Sequence, residues 1–400
     1  MTIVDENQEL APQQRSEAAQ LLLDKESDIE PTLSIVMPTL NEEDGIKECI
    51  QKAKSAIEEL GLTAEIILSD SSTDRTPAIG RALGALVYEP DQPGYGYAYQ
   101  YAFSQARGEY IIMGDADTTY DFEQIPRLLD QLQEENADIA IGSRLDGEIK
   151  PGAMPLLHRY VGNPLLTKFL NVFYSAGVSD AHSGFRIFTR DALEKMELQT
   201  TGMEFASEMI MEASSKDLDI VEKPIVYHER KGEETLDSFR DGWRHVRFML
   251  KNAPGYLFSV PGVLFATVGI LLIGMASTGV TVGSVTPGIH TMIAGTLLVI
   301  VGYQLLYFGP FSAVVGEPIR KPENPISKQI NEKLTLERGI ATGFLLVGAG
   351  ALYAGQLVYR WRMNGFTTEQ FTIEALAAFT AIVIGIQTVF SAFLMDLIKE

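Results

Sequence analysis

Cysteine is nearly absent from this chain, with Cys49 alone in 400 residues. A single thiol excludes an intrachain disulfide and a zinc cluster built on cysteines. Cys49 lies among Ile46, Ile50, Ala53 and Ile57 at helical spacing, so helix packing is its expected role. Positive charge is scarce as well. Lys and Arg total 32 against 53 Asp and Glu, for a formal net charge of −21. Binding nucleic acid needs a cationic footprint, so that partner is excluded. The acidic surface suits a protein kept soluble at high salt, as in a halophile. The five histidines (His158, His182, His228, His245 and His290) share no metal-ligand spacing. Residues 1–31 lack a long apolar run and read as an acidic flexible tail without a secretory leader, with one short helix around Ala18 to Leu23.

Charge itself then disappears. From Asn252 to Gly316, 65 residues pass without Asp, Glu, Lys or Arg. A membrane-crossing helix needs about 20 apolar residues, so this stretch accommodates two. Two further uncharged runs follow, and four spans are expected at about 256–279, 289–311, 339–359 and 375–395. Basic residues set the orientation. Arg320, Lys321, Lys328, Lys333 and Arg338 fall between spans two and three, which makes that loop cytoplasmic. Both termini and the charged N-terminal part are then cytoplasmic too, in a multi-pass protein of the cell membrane. Just before the first span, Phe239, Trp243, Val246 and Leu250 alternate with Arg240, Arg244, Arg247 and Lys251. Residues 236–252 are therefore expected to form an amphipathic helix in the headgroup layer.

The charged part alternates short apolar strands with amphipathic helices. Strands are expected at Leu33–Met37, Glu65–Leu68, Ala85–Tyr88, Tyr110–Met113 and Asp138–Ile141. Helices are expected at Glu43–Leu60, Thr73–Leu83, Tyr95–Ala106 and Phe122–Glu135. This rhythm predicts an α/β domain over 32–235, with a mostly parallel sheet flanked by helices, followed by a transmembrane domain over 253–400. Ligands in such sheets bind beyond the carboxyl ends of the strands.

The informative residues follow the strands. Asp115-Ala116-Asp117 comes after Tyr110–Gly114, and carboxylates two apart on extended chain point the same way. Like charges so placed repel unless a cation joins them, which points to Mg²⁺ or Mn²⁺ bridging to diphosphate oxygens. Pro38-Thr-Leu-Asn41-Glu42 follows the first strand and Asp70-Ser-Ser-Thr-Asp74 the second. Asp70 can bind a ribose or base, while Asn41 and Asp74 also read as helix N-terminal residues. Glu204 and Glu208 share one helix face, towards either sugar hydroxyls or water.

The order P-x-x-N-E-E, D-x-S-x-D-x-T and D-A-D resembles the family-2 glycosyltransferases, which have the GT-A fold. Gly142-Ser143-Arg144, Pro151–Pro155 with His158-Arg159 and Asn163, and Asp180-Ala-His-Ser183-Gly184-Phe-Arg186 resemble its dolichol-phosphate mannose and glucose synthase branch. The similarity covers 33 to about 250. It implies that Pro38, Glu42, Asp70 and Asp115 hold a nucleotide-sugar, with Asp115 and Asp117 on the metal. It places Ser143, Arg144, Arg159 and Arg186 at a polyprenyl or dolichyl phosphate, and Asp117, Arg144 and Arg186 at the reaction itself. The donor would be a UDP- or GDP-linked glucose or mannose, transferred with inversion, with protein glycosylation as the destination. A lipid monophosphate, with a second pKa of about 6, is already an anionic nucleophile at neutral pH and calls for cationic forks to seat it.

One departure stands out. Where the branch commonly carries a basic residue beside Gln92-Pro-Gly94-Tyr-Gly96, this chain has Tyr95, Tyr97, Tyr99 and Tyr101. Arg230-Lys231-Gly232-Glu233 reads as either a flap over the site or a surface turn. Other readings stay open. One is a transferase acting on a hydroxyl of a lipid-linked saccharide, with Asp180 or Glu204 as base. Another is a catalytically inactive sugar-binding membrane protein. A processive synthase fits poorly, because Gln356-Leu-Val-Tyr-Arg360-Trp361 is one residue too long for Q-x-x-R-W. A lipid-sugar flippase would need ionisable residues inside the spans.

Overall fold

The structure is a computed structural model that describes residues 21–232, 238–279, 281, 286–315, 319, 335–364 and 372–399. The chain forms two compact units, Met1–Met249 and Leu250–Glu400.

The first unit is built on a seven-stranded sheet, among the described residues. The strands are β1 (Leu33–Thr39), β2 (Ala64–Asp70), β3 (Leu86–Tyr88), β4 (Tyr110–Met113), β5 (Ile139–Ile149), β6 (Arg186–Thr189) and β7 (Ile220–Tyr227), in the order β3-β2-β1-β4-β6-β5-β7. β1 is parallel to both β2 and β4. Its residues Leu33, Ile35, Val36 and Met37 are fully buried. A strand covered on both faces reads as a continuous apolar run, and that is how this one was visible in the sequence. The sheet is mixed, because β6 runs antiparallel between β4 and β5. β5 extends well past the expected Ile141 and pairs in parallel with β7, with a register break between Ser143 and Glu148.

Helix boundaries moved inward for local reasons. The first helix starts at Ile46 and ends at Gly61, whose N–H returns to the Ile57 carbonyl at 3.0 Å. The second runs Thr76–Ala82, because Asp74 Oδ1 accepts the Thr76 N–H at 2.9 Å and caps its start. Tyr95–Phe103 is shorter than expected, and Phe122–Gln124 forms a 3₁₀ turn before the helix Ile125–Glu134. Residues 1–20 of the expected tail, with the first part of its short helix, lie outside the described residues. Leu22 bridges to Ala64, and Leu23 is buried.

β1 lies between β2 and β4, so the chain leaves the carboxyl ends of β1 and β4 in different directions. A crevice at such a switch point is where open α/β sheets bind ligands.

The second unit holds four helices long and apolar enough to cross a membrane: Gly255–Thr278, Ile289–Ser312, Leu336–Met363 and Thr372–Ile398. They correspond to the four spans expected from the sequence. Glycines bring paired helices together here. A Cβ on Gly269 would come within 2.6 Å of the Gly295 carbonyl, and one on Gly295 within 2.8 Å of the Gly269 carbonyl. Close backbone approach of this kind replaces the hydrophobic drive that lipid removes. Thr380 donates to Thr296 at 3.3 Å across another contact. The expected amphipathic segment is helical over Ser238–Asn252, with Trp243 60% exposed and Met249 buried. The side chains of Phe239 and Arg240 lie outside the described residues.

Candidate active site

The loops after β1, β2 and β4 meet at the switch point. Thr39 and Ser72 hydroxyls both donate to Asp70 Oδ1, at 2.6 and 2.7 Å. Asp70 is thus fixed at the end of β2. Pro38 is opposite Ser69 in the β1–β2 ladder. Asn41 ties the two loops together: its N–H donates to the Ser72 hydroxyl oxygen at 2.7 Å, and its side-chain oxygen accepts the Thr73 N–H at 2.9 Å. It adopts a left-handed backbone, φ 58°, a conformation that Asn tolerates. Asp74 also accepts the Glu43 N–H, so it braces the loops as well as capping a helix.

After β4, Asp115 is half-buried and Asp117 is 9% exposed. Tyr95 and Tyr99 hydroxyls both donate to Asp115 Oδ1, at 2.9 and 3.2 Å. These are two of the tyrosines that mark the departure from the branch's usual basic residue. Burial foremost, then the Asp117 charge, pushes the Asp115 carboxyl up to about 6, against the pull of both tyrosines. Thr119 donates to Asp117 Oδ1 through its N–H at 3.1 Å and its hydroxyl at 2.5 Å. Between them, Thr118 has φ 68°. That is costly for a β-branched residue and is held by the surrounding contacts.

Glu42 is 8% exposed, with Oε1 on Arg230 Nη2 at 2.6 Å and a buried Oε2 that has no partner. Arg230 Nη1 lies 3.7 Å from Asp117 Oδ2. Burial lifts the Glu42 carboxyl to about 7; the Arg230 charge opposes the rise, and the Asp117 and Asp115 charges add to it. Three carboxylates therefore share one arginine. The Lys231 N–H donates to the Asp117 carbonyl at 3.0 Å, so the Arg230-Lys231 segment closes against this site.

A divalent cation suits this chemistry. The donors are carboxylate oxygens, and two of the carboxyls resist ionising while uncompensated. A Cβ on Gly184 would stand 3.2 Å from Asp115 Oδ2 and 3.3 Å from the Tyr120 hydroxyl, so glycine keeps that side open. Among the described residues no group of three or more His, Cys, Asp or Glu forms a complete metal cage. An ion held mainly by carboxylates, water and a ligand's phosphates fits that arrangement, as Mg²⁺ sites commonly do.

Ser143, Arg144 and Arg186 converge on the loop 179–186. The Ser143 hydroxyl is 2.7 Å from that of Ser179. Arg144 donates to Asp180 Oδ2 through Nε at 2.7 Å and to Oδ1 through Nη2 at 2.9 Å. Burial disfavours a charged Asp180, yet the Arg144 charge and hydrogen bonds hold its carboxyl below the ordinary range. Arg186 is fully buried. It donates to the Ser183, Ala181 and Ala206 carbonyls, and its Nη1 has no partner. Burial lowers its guanidinium to about 10, which leaves it cationic at neutral pH. Arg159 is placed elsewhere, on an exposed segment, with its guanidinium 5.3 Å from the Tyr160 ring centre. Among the described residues no hydrogen bond or ion pair joins it to the other three. Glu208 accepts the Gln199 and Thr200 N–H groups, both at 2.9 Å, and so anchors a loop.

Sequence reasoning did not assign Asp180 as the partner of Arg144, Arg230 as the cation beside Glu42, or Tyr95 and Tyr99 as donors to Asp115. The tyrosine run, and the Arg230-Lys231 segment read as a flap or a turn, were the local signals for these.

The mixed sheet, the paired acids after β4 and the four apolar helices together define a membrane-bound nucleotide-sugar transferase fold. Residues 34–197 match Glycosyl transferase family 2, and residues 314–399 match the Glycosyltransferase family 2 C-terminal transmembrane region. The chain belongs to glycosyl transferase family 2, in the branch of the dolichol-phosphate sugar transferases, and is a glycosyltransferase. It is 55% identical over 381 residues to the low-salt glycan biosynthesis hexosyltransferase Agl6 of Haloferax volcanii, covering 95% of this chain and 92% of that protein. A dolichyl-phosphate hexose transferase of the same organism is 34% identical, over 52% of this chain and 89% of its own length. The dolichol-phosphate mannosyltransferase of Pyrococcus furiosus is 25% identical, over 55% of this chain and 64% of its own.

Proposed function

We propose that this glycosyltransferase moves a hexose from a UDP- or GDP-sugar to the phosphate of a dolichyl or polyprenyl lipid at the cytoplasmic membrane face. The bond formed joins a phosphate oxygen of the lipid to the anomeric carbon. The bond broken joins that carbon to the nucleoside diphosphate, which leaves from the opposite side, so the configuration inverts.

One observation carries this reading: Glu42, Asp70 and the pair Asp115 and Asp117 follow the ends of three strands, β1, β2 and β4, at a single switch point, with Arg144 on β5 and Arg186 at the start of β6. Asp70, held by two hydroxyls, offers an acceptor to a ribose or base. Asp115 and Asp117 would hold Mg²⁺ or Mn²⁺, which supplies positive charge to the leaving diphosphate. Across the site, Arg186 Nη1 is a buried donor without a partner, and an anionic phosphate would satisfy it. Asp180 holds Arg144 through Nε and Nη2, and the guanidinium lies 5.4 Å from the Tyr227 ring centre, so its orientation is fixed. Hexosyltransferase and dolichyl-phosphate names among the relatives support both halves of the reaction. The basic loop between spans two and three supports the cytoplasmic face. A hydroxyl acceptor would call for a general base, and Asp180 is engaged and held below the ordinary carboxylate range.

The test offers the purified full chain a panel of labelled UDP- and GDP-hexoses with polyprenyl phosphate and Mg²⁺ or Mn²⁺. Label should enter the lipid from one donor and stop on chelation. Transfer only to sugar hydroxyls would refute the phosphate acceptor.

A further inference from the structure

Glu222 is a charged residue in the interior of a strand. It lies on β7, the last strand in the sheet order, opposite Ile141 of β5. It is half-buried, and burial raises its carboxyl above the ordinary range. Removing an acid from water costs stability unless donors compensate it. Three do so here. Glu222 Oε2 accepts the Ser179 N–H at 2.6 Å, while Oε1 accepts the Asp180 N–H and the Ser179 hydroxyl, both at 3.1 Å.

These bonds set the direction of a longer chain. A carboxylate only accepts, and each serine has one hydroxyl proton. Ser179 donates its own to Glu222, so the Ser143 hydroxyl, 2.7 Å away, donates to Ser179. Ser143 Oγ in turn accepts the Asp146 N–H at 3.2 Å. The chain Asp146–Ser143–Ser179–Glu222 therefore ends on the carboxylate. It spans the place where β5 leaves β7. Pro224, opposite Ser143, has no N–H to offer, and the register breaks between Ser143 and Glu148. Arg144 is the first residue inside that break, and its N–H goes to Asp180 Oδ2 at 3.0 Å. Glu222 thus grips both supports of Arg144: Ser143 beside it in sequence, and Asp180, which clasps its guanidinium.

We infer that Glu222 is a positioning residue, which fixes the Arg144 guanidinium through Ser179 and Asp180 without itself meeting a substrate. That Arg144 then seats a lipid phosphate rests on the proposed acceptor, whereas the link from Glu222 to Arg144 does not.

The test uses the full chain and Glu222→Gln, which keeps the size but turns an amide NH₂ towards at least one of the donors, whichever way it is placed. KM for polyprenyl phosphate should rise about tenfold, with the nucleotide-sugar KM changed by less than about twofold. Ser179→Ala removes one link only and should raise the same KM by about threefold. Lys223→Gln, on the same strand but bonded to Gln131, should change neither. An unchanged acceptor KM in Glu222→Gln, or an equal rise in both KM values, would overturn the inference. Thermal melts read it without the reaction. Among the described residues no hydrogen bond or ion pair joins Glu222 to Arg144, yet Glu222→Gln with Arg144→Ala should lower Tm by less than the two single changes summed. Additive losses would overturn the inference even where the phosphate is glycosylated. Non-additive losses in a protein that transfers nothing to the phosphate would support it and refute the acceptor alone.

Discussion

Asp180 clasps Arg144 with both carboxylate oxygens, and the Arg144 backbone N–H donates to the same carboxylate at 3.0 Å. The pair is buried, and its members come from β5 and from the loop before β6. Breaking a buried pair from one side leaves an uncompensated charge. Arg144→Ala should therefore cost on the order of 3–5 kcal/mol. In thermal melts, adding Asp180→Ala to it should cost less than the two single changes summed. Additive losses would mean that the two residues act separately.

The pH dependence of stability follows from Glu42. Its folded carboxyl, lifted by burial to about 7, sits above the usual 4.5. Between those values the folded protein keeps a proton that the unfolded chain has released, so this group's contribution falls as pH rises through the window. Glu42→Gln should flatten that decline, by on the order of 2 kcal/mol at the upper end. Melting temperatures of the metal-free protein from pH 4.5 to 7.5 check it. Parallel curves for the two proteins would contradict it.

Tyr95 and Tyr99 favour the ionised form of Asp115 through their hydrogen bonds. Removing both hydroxyls, as Tyr95→Phe with Tyr99→Phe, keeps the rings and makes the carboxyl harder to ionise. Half-maximal Mn²⁺ binding should then move up by roughly one pH unit. Titration calorimetry across pH reads this directly.

Arg230 supplies positive charge between Glu42 and Asp117, beside the proposed metal site at Asp115 and Asp117. Arg230→Ala should raise Mn²⁺ affinity without nucleotide by about tenfold, because a like charge is removed. Equal or weaker affinity would show that the guanidinium does not compete with the ion.

Much of the fold was legible in the sequence because β1, β2 and β4 are covered strands that read as apolar runs. Leu33–Met37 and Tyr110–Met113 were placed to within two residues for that reason. β6 and β7 were not read, since β6 opens with the charged Arg186 and β7 carries Glu222, Lys223 and Pro224 at the sheet's edge. The paired acids were legible from their place after a strand. Arg144 with Asp180 was not, because 36 residues separate them and only the tertiary fold brings them together. Arg230 and Glu42 are 188 apart, with the same consequence.

The linkage in the product tests the account most directly. Lipid made from the accepted nucleotide-sugar is purified and its phosphorus examined by ³¹P NMR, with Asp117→Asn protein as the blank. The account predicts a hexosyl phosphodiester of inverted anomeric configuration, and about 100-fold less of it from the variant. Polyprenyl phosphate left as an unchanged phosphomonoester, with the hexose joined instead to a sugar hydroxyl of a lipid-linked saccharide supplied alongside it, would contradict it.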